Sequence, residues 1–435
     1  MSSLNADRHC HTQGRSVVWR SLMQLFGGMD WWLILATAFL LVTGLNTLQF
    51  QGNGFHEKQF DFLLAGIATA VVFWRVPYIF WTHKFVLPAI YLINIGLLLA
   101  VMFKGHSALG AQRWLALGPL TLQPSEIAKL VVIFTLSAWL GRWPVRSFWD
   151  CFKAVALIAV PAILVFKQPD LGTSLTFAAV YFGMIFWAGA TLTDLLVLIS
   201  PLISLILNAL SVNAWVIFVV ALGAWLAVAW RKSNWSTLVR IALAVAVMAA
   251  NLGAGQMRPH LWGVLKEYQQ KRLTSFLNPY EDPRGSGYHI LQSLIAIGSG
   301  GIQGQGLGKG NQSQGAFIPE RHTDFIFAVV GEELGFRTAV LVILAYAIIC
   351  ARAVIIAYQC REEPCGSLMS IGIMNMFLFH VFLNIGMTMG IMPVAGVPLP
   401  FLSYGGTALI IDLSAIGLLL SVRQLNPPPR KDIWK

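Results

Sequence analysis

Long runs of uncharged apolar residues recur along this chain from Trp31 to the turn before Arg423, and they limit its fold more than any other feature. They fall at roughly 31–50, 60–74, 85–103, 126–142, 152–167, 171–188, 192–211, 214–230, 237–255, 325–346, 367–390 and 405–422. A crossing needs about 20 residues as a helix, so the shorter runs are read as tilted or re-entrant. Composition agrees: 57% of residues are hydrophobic and 11% charged, against about 25% charged in a soluble domain. The expected fold is an all-α polytopic membrane protein with about 10–12 transmembrane helices. Residues 31–422 form one transmembrane domain, 256–324 a large outer loop, and 213–255 an extra helix pair.

The formal charge of +11 would suggest nucleic acid in a soluble protein. Here the basic residues between spans orient the chain instead. With the N-terminus inside, the inner loops hold Arg75 and Lys84, Arg142 and Arg146, Arg231, Lys232 and Arg240, Arg361, and Arg423, Arg430 and Lys431. Residues 104–125, 168–170, 256–324 and 391–404 then lie outside. Cys10, Cys151, Cys350, Cys360 and Cys365 all fall at or near the inner side, so no structural disulfide is expected. Residues 1–30 read as an inner tail without a cleavable signal. Within it, RSVVWRSLMQLF (15–26) is either an interfacial helix or a basic tail. Residues 423–435 read as a second inner tail.

Acid–base chemistry concentrates on the outer segments. In QPSEIAK, Glu126 suits the first turn of a helix and Lys129 is placed to pair with it. An acid and a base inside a span also commonly line a cavity. Asp170 of KQPDLGTS reads first as a helix N-cap. Lys271, Arg272 and Arg284 sit among turn residues, ahead of ten glycines between 285 and 315, and suit a phosphate, or simply a solvated basic loop. In FIPERHTDFIFAVVGEELGF, Asp324 stands at the lip of an apolar segment, where it either caps a helix or serves as a general base. Arg321 and His322 are placed to tune it or to bind an anion. Arg337 and Asp412 stand inside apolar runs, where an isolated charge costs about 2.5–3.5 kcal/mol. They are expected to pair across two helices, with a Glu333–Arg337 pair, or Arg337 at the inner interface, as the alternatives.

Five blocks in order along the chain resemble the SEDS family (shape, elongation, division and sporulation). They are GAQRWLALGPLTLQPSEIAK, QPDLGTS, KRLTSFLNPYEDPRGSGYHILQSLIAIGSGG, NQSQGAFIPERHTDFIFAVVGEELGF and GIMPVAGVPLPFLSYGGTALI. The fourth is more similar to the elongation type than to the division type. The resemblance implies a peptidoglycan glycosyltransferase of the bacterial inner membrane that polymerises lipid II on the outer face. Its partners would be a class B penicillin-binding protein and other elongation-complex membrane proteins, with no nucleic acid. It implies Asp324 as the catalytic carboxylate with Arg113, Glu126 and Lys129 as family positions, and the sequence adds Lys271, Arg272, Arg321 and His322 as substrate-binding candidates. Mg2+ or Mn2+ are candidate counter-ions for the leaving pyrophosphate. A lipid II flippase, the division-type member, and an O-antigen polymerase or ligase are the rivals. The family has ten spans, so 213–255 is a departure, as are the less regular GLGKGNQSQGAF and the pair Arg337 and Asp412.

Overall fold

A computed structural model describes residues 29–52, 54–108, 111–117, 120–230, 236–256, 270, 287–315 and 317–426. The expectations for 15–26, for Cys10, Arg231, Lys232, Lys271, Arg272 and Arg284, and for the C-terminal tail lie outside these residues. The described chain is helical apart from one small sheet. It folds as two units, Met1–Trp143 with Ala154–Met184 and Gln292–Lys435, and Pro144–Lys153 with Ile185–Leu291.

The first unit opens with α1 (Trp31–Gln49), α2 (Phe55–Arg75), the short α3 (Tyr78–Trp81) and α4 (Val86–Lys104). A three-stranded antiparallel sheet follows, β1 (His106–Ala108), β2 (Ala111–Leu117) and β3 (Leu120–Leu122). The chain then enters α5 (Pro124–Arg142), most of α6 (Phe148–Lys167) and most of α7 (Leu171–Trp187). The second unit holds α8 (Leu192–Leu210), α9 (Val212–Ala229) and α10 (Thr237–Gln256). After α11 (Tyr288–Ser299) come α12 (Asn311–Gln314), α13 (Ile326–Glu333), α14 (Gly335–Gln359), α15 (Pro364–Thr388) and α16 (Gly406–Leu425).

Nine of the described helices are long and apolar enough to cross a membrane: α1, α4, α5, α6, α9, α10, α14, α15 and α16. Helix α2 carries Glu57, Lys58, Asp61 and Arg75, and the apolar stretches of α7 and α8 are shorter. The protein is thus a multi-pass helical membrane protein. The centre of the first unit is α5, α15 and α16, of whose spans 72%, 67% and 72% is buried, against 17% for α4. Small residues let these helices close up: a Cβ on Gly417 would lie 2.2 Å from the Ala70 carbonyl oxygen of α2. Close backbone approach is how membrane helices gain dispersion contact where lipid offers no hydrophobic gradient.

One expected span is corrected. The apolar run at 325–346 is not one helix. Helix α13 ends at Glu333, and α14 starts at Gly335, whose φ is +75°. A break frees backbone groups that need partners. Residues 301–306 supply them: Gln305 and Gly306 N–H donate to the carbonyls of Glu332 and Glu333, and Phe336 and Arg337 N–H donate to those of Gly301 and Ile302. The approach is so close that a Cβ on Gly304, itself at φ +83°, would meet the Glu333 carbonyl oxygen at 2.3 Å. Arg337 therefore sits in the first turn of α14 and is exposed there.

The second unit has its own apolar core of Phe148, Val197, Leu222, Leu226, Trp230 and Val247. A neutral polar ladder joins α8 to α10. Ser204 donates to Asn251 Oδ1 at 2.7 Å, Asn251 Nδ2 donates to Ser200 at 2.9 Å, and Asn208 Nδ2 donates to the Gly255 carbonyl at 3.0 Å.

Candidate active site

The residues around Asp324 come from four separate stretches at one end of the first unit. Helix α13 begins at Ile326 with Phe325 as N-cap and no side-chain capping bond, so Asp324 is not the cap. The loop before the helix is held by its own carbonyls. Tyr404 N–H donates to His322 (2.8 Å), the Ser403 hydroxyl to Thr323 (2.6 Å), and Asn384 Nδ2 to Asp324 (2.9 Å). Asn384 also donates to the Val397 carbonyl at 2.8 Å, so one amide on α15 ties the Asp324 loop to the irregular 391–405 segment. Gln59 of α2 donates to the Ser403 carbonyl and accepts from Gly405 N–H, which closes the same corner from the other side.

His322 stacks on Phe55 with ring centroids 4.1 Å apart, and Tyr404 tilts against Phe55 at 4.8 Å. Burial lowers the His322 pKa below its ordinary value; Glu320 opposes that shift and Arg321 adds to it. Burial also lowers the Arg321 pKa, with Glu333 opposing. Glu332 and Glu333 are buried, which a continuous span would not tolerate. Their work is local. Glu332 accepts the N–H groups of Gln312 and Ser313, and Glu333 accepts from Gly308 N–H, the Ser313 hydroxyl and Gln314. These bonds fasten the GKGNQSQ segment to α13, and they explain Glu333 without an Arg337 partner.

A second constellation forms where α5 starts. Lys129 Nζ lies 2.6 Å from Glu126 Oε2 and 3.5 Å from His380 Nε2 of α15, and Lys129 and Glu126 are at least 97% buried. The expected i,i+3 pair is therefore present, and it is dry. Asp412 of α16 is buried within electrostatic reach of both. No ion pair joins it to Arg337. The expected cross-helix lock is thus corrected: Arg337 is exposed at a helix start, and Asp412 faces the Lys129 cluster.

Asp170 does cap α7, accepting from Thr173 N–H and hydroxyl at 3.3 and 3.0 Å. It also takes Ser125 at 3.2 Å and Gln123 at 3.3 Å, and Arg113 Nη1 of β2 lies 3.9 Å from it. Arg113 further donates to the Pro169 carbonyl. Arg113 and Lys129 thus each face a buried carboxylate. Lys271 and Arg272 lie outside the described residues. Among the described residues, no three His, Cys, Asp or Glu side chains converge to hold a metal ion.

Sequence reasoning passed over Gln59, Asn384, His380 and Glu332, and it gave Glu333 only as a partner for Arg337 rather than as half of a buried pair. Only the last carried a local signal, two adjacent carboxylates in an apolar run.

A polytopic helical bundle that carries a carboxylate, a histidine and an arginine in one anchored loop, and a dry Lys–Glu–His cluster among its helices, defines a membrane protein with a polar reaction or binding site. The chain belongs to the FtsW/RodA/SpoVE family of cell cycle proteins, whose model matches residues 29–222 and 212–426. It is 37% identical over 397 residues to the peptidoglycan glycosyltransferase MrdB of Escherichia coli K12, covering 90% of this chain and 92% of that one. It is 35% identical to the peptidoglycan glycosyltransferase RodA of Treponema pallidum, over 77% and 83% of the two chains. Among solved structures it matches a chain of a peptidoglycan synthase complex that coordinates polymerization and crosslinking, with TM-score 0.67, 27% identity and coverage of 92% and 99%. It also matches the fold of Thermus thermophilus RodA, with TM-score 0.59, 24% identity and coverage of 92% and 98%.

Proposed function

We propose that this protein is a peptidoglycan glycosyltransferase that polymerises lipid II during cell elongation, with Asp324 as general base. Asp324 takes the proton from the 4-hydroxyl of the acceptor GlcNAc. That oxygen attacks C1 of the donor MurNAc and expels undecaprenyl pyrophosphate, inverting the anomeric centre. Pyrophosphate leaves readily, so no enzyme nucleophile is required.

The observation that carries this reading is the fixing of the Asp324 loop. Three consecutive carbonyls, at His322, Thr323 and Asp324, accept bonds from two other segments. A base held in place before substrate arrives loses little entropy on reaction. Arg113 and Lys129 face carboxylates, which supports positioning roles for them. Arg321, three residues from the base and with a buried unpaired Nη1, is better suited to the leaving diphosphate. The synthase-complex neighbour supports a class B penicillin-binding protein as partner, and the basic residues of alternate loops support an inner-membrane location with both termini cytoplasmic and the site facing outward.

The test is polymerisation of lipid II by purified protein with that partner. Asp324→Asn is expected to keep the fold and cut glycan yield by about 10²–10⁴-fold. Unchanged yield would remove Asp324 from this role. A flippase would instead keep moving labelled lipid II across vesicles while making no strands in either form.

A further inference from the structure

Helices α5 and α15 lie antiparallel along a seam that changes character just before the Asp324 loop. At its far end a Cβ on Gly141 of α5 would lie 3.2 Å from the Cys365 backbone nitrogen of α15. Further along, a Cβ on Gly372 of α15 would lie 2.9 Å from Ile133 Cγ2 of α5. Small residues close these levels, as is usual between membrane helices. The next level is polar. Lys129 Nζ of α5 lies 3.5 Å from His380 Nε2 of α15, and His380 is only 2% exposed. An ammonium can only donate, so Nε2 accepts and the ring proton sits on Nδ1. Nδ1 is buried without a partner. A leucine would fill the place without that cost, so packing accounts for the lower levels and not for His380. One turn further along α15, Asn384 donates to the carbonyls of Asp324 and Val397. The Lys129 contact and the Asp324 contact thus stand about 6 Å apart on one helix.

We propose that His380 is a positioning residue for glycosyl transfer: by accepting from Lys129 it sets α15 against α5, and through Asn384 it fixes the backbone at Asp324. The reference point is firm. Glu126 holds Lys129 at 2.6 Å on α5. The start of α5 is anchored in turn, because Ser125 and Gln123 donate to Asp170 and Gln123 N–H donates to Thr407 Oγ1 of α16. The contacts then run from Glu126 through Lys129, His380 and Asn384 to Asp324. Apolar contact between helices is non-directional and lets one slide or turn slightly on the other. A hydrogen bond to a dry ammonium restricts both movements, since it weakens with angle as well as distance. A misplacement of about 1 Å at the reacting group can cost about 10²-fold in rate. This deepens the proposed function and rests on it, because Asp324 is taken as the base.

The test is steady-state polymerisation of lipid II by the full chain with its partner, alongside thermal melting. His380→Leu is expected to lower kcat about 10²-fold with KM within about twofold of wild type. Its melting temperature is expected to equal or exceed that of wild type, because an unpaired buried N–H has been removed while Lys129 keeps Glu126. His380→Gln, whose amide oxygen can take the place of Nε2 as acceptor, is expected to keep kcat within about threefold. If the leucine variant does not fold, His380→Met, apolar and adaptable in shape, takes its place with the same expectation. An apolar variant with wild-type kcat overturns the inference, and so does a glutamine variant as slow as the apolar one. A rise in KM with kcat unchanged also overturns it, because His380 would then be binding substrate. A fall in kcat matched by a loss of folded protein would make His380 a packing residue and overturn it as well. Absence of strands from wild type would overturn the proposed function, and this inference with it.

Discussion

The Ser200–Asn251 ladder of the second unit and the Glu126–Lys129–His380 cluster of the first both place polar atoms inside apolar helices, yet they use different groups. The ladder is neutral. Asn251 both accepts from and donates to serines of α8, and also donates to the Val247 carbonyl, so its amide is satisfied without a formal charge. The cluster is ionic, and it keeps a loose end: His380 Nδ1 has no partner. Neutral polar contacts between membrane helices are cheap to keep and worth about 0.6–2 kcal/mol each. Buried charges are costly to keep and contribute little net stability over an apolar replacement. A helix pair that needs only to stay together is served by the first kind. Retaining the second kind points to a requirement other than stability, in the half of the molecule that carries Asp324.

The largest expected effect attacks the ionic side. Lys129→Met leaves Glu126 buried without its cation and is expected to cost about 3–5 kcal/mol, read as a fall in melting temperature and folded yield. Adding Glu126→Leu is expected to restore most of that stability while polymerisation stays low. If activity returned along with the fold, the charges would be only structural and the contrast between the two regions would collapse. On the neutral side, Asn251→Ala removes three hydrogen bonds and is expected to cost about 1–2 kcal/mol with polymerisation by the folded fraction unchanged. A drop in kcat without a drop in melting temperature would show that the second unit takes part in the reaction.

A smaller effect is expected at His322. Its folded pKa lies below the ordinary 6.5 because burial disfavours the imidazolium. The folded state therefore binds fewer protons there than the unfolded chain. The stability this provides is complete above 6.5 and is lost as pH falls through the lowered value. Melting temperature should fall faster on acidification from pH 7.5 in wild type than in His322→Phe, which keeps the ring stack. Parallel curves would mean that the imidazole does not titrate in this way. The smallest effect is expected for Arg337→Asp, which should shift stability by no more than about 0.5 kcal/mol, as at other exposed positions. A loss near that of Lys129→Met would restore the discarded pairing with Asp412.

The spans were legible because hydropathy is local: each apolar run declares itself without knowledge of its neighbours. The same locality hid the break at Leu334. IFAVVGEELGFRTAVLVILA reads as continuous, and the groups that satisfy the break come from residues 301–306. Glu126 with Lys129 was legible because i,i+3 spacing fixes neighbours on one helix. His380 and Asp412 lie more than 250 residues further along the chain and reach that pair only through helix packing. The wall formed by Phe55 and Gln59 was missed for a different reason. On a stretch that also carries Glu57, Lys58 and Asp61, polar residues look like a wetted helix start until the fold shows what covers them.

At the start of α1, Asp30 caps the helix through Leu33 N–H, accepts from Arg352 Nε of α14, and is ion-paired with both Arg352 and Arg423 of α16. One carboxylate thus joins three helices at the end of the first unit away from Asp324. Motion of rods riveted at one end grows with distance from the rivet. Any splaying of α1 from α14 and α16 is therefore smallest at Asp30 and widest about 28 Å along α1, at the turn that carries Gln51. Cutting the Asp30 tie would therefore loosen that distant turn without touching a residue in it.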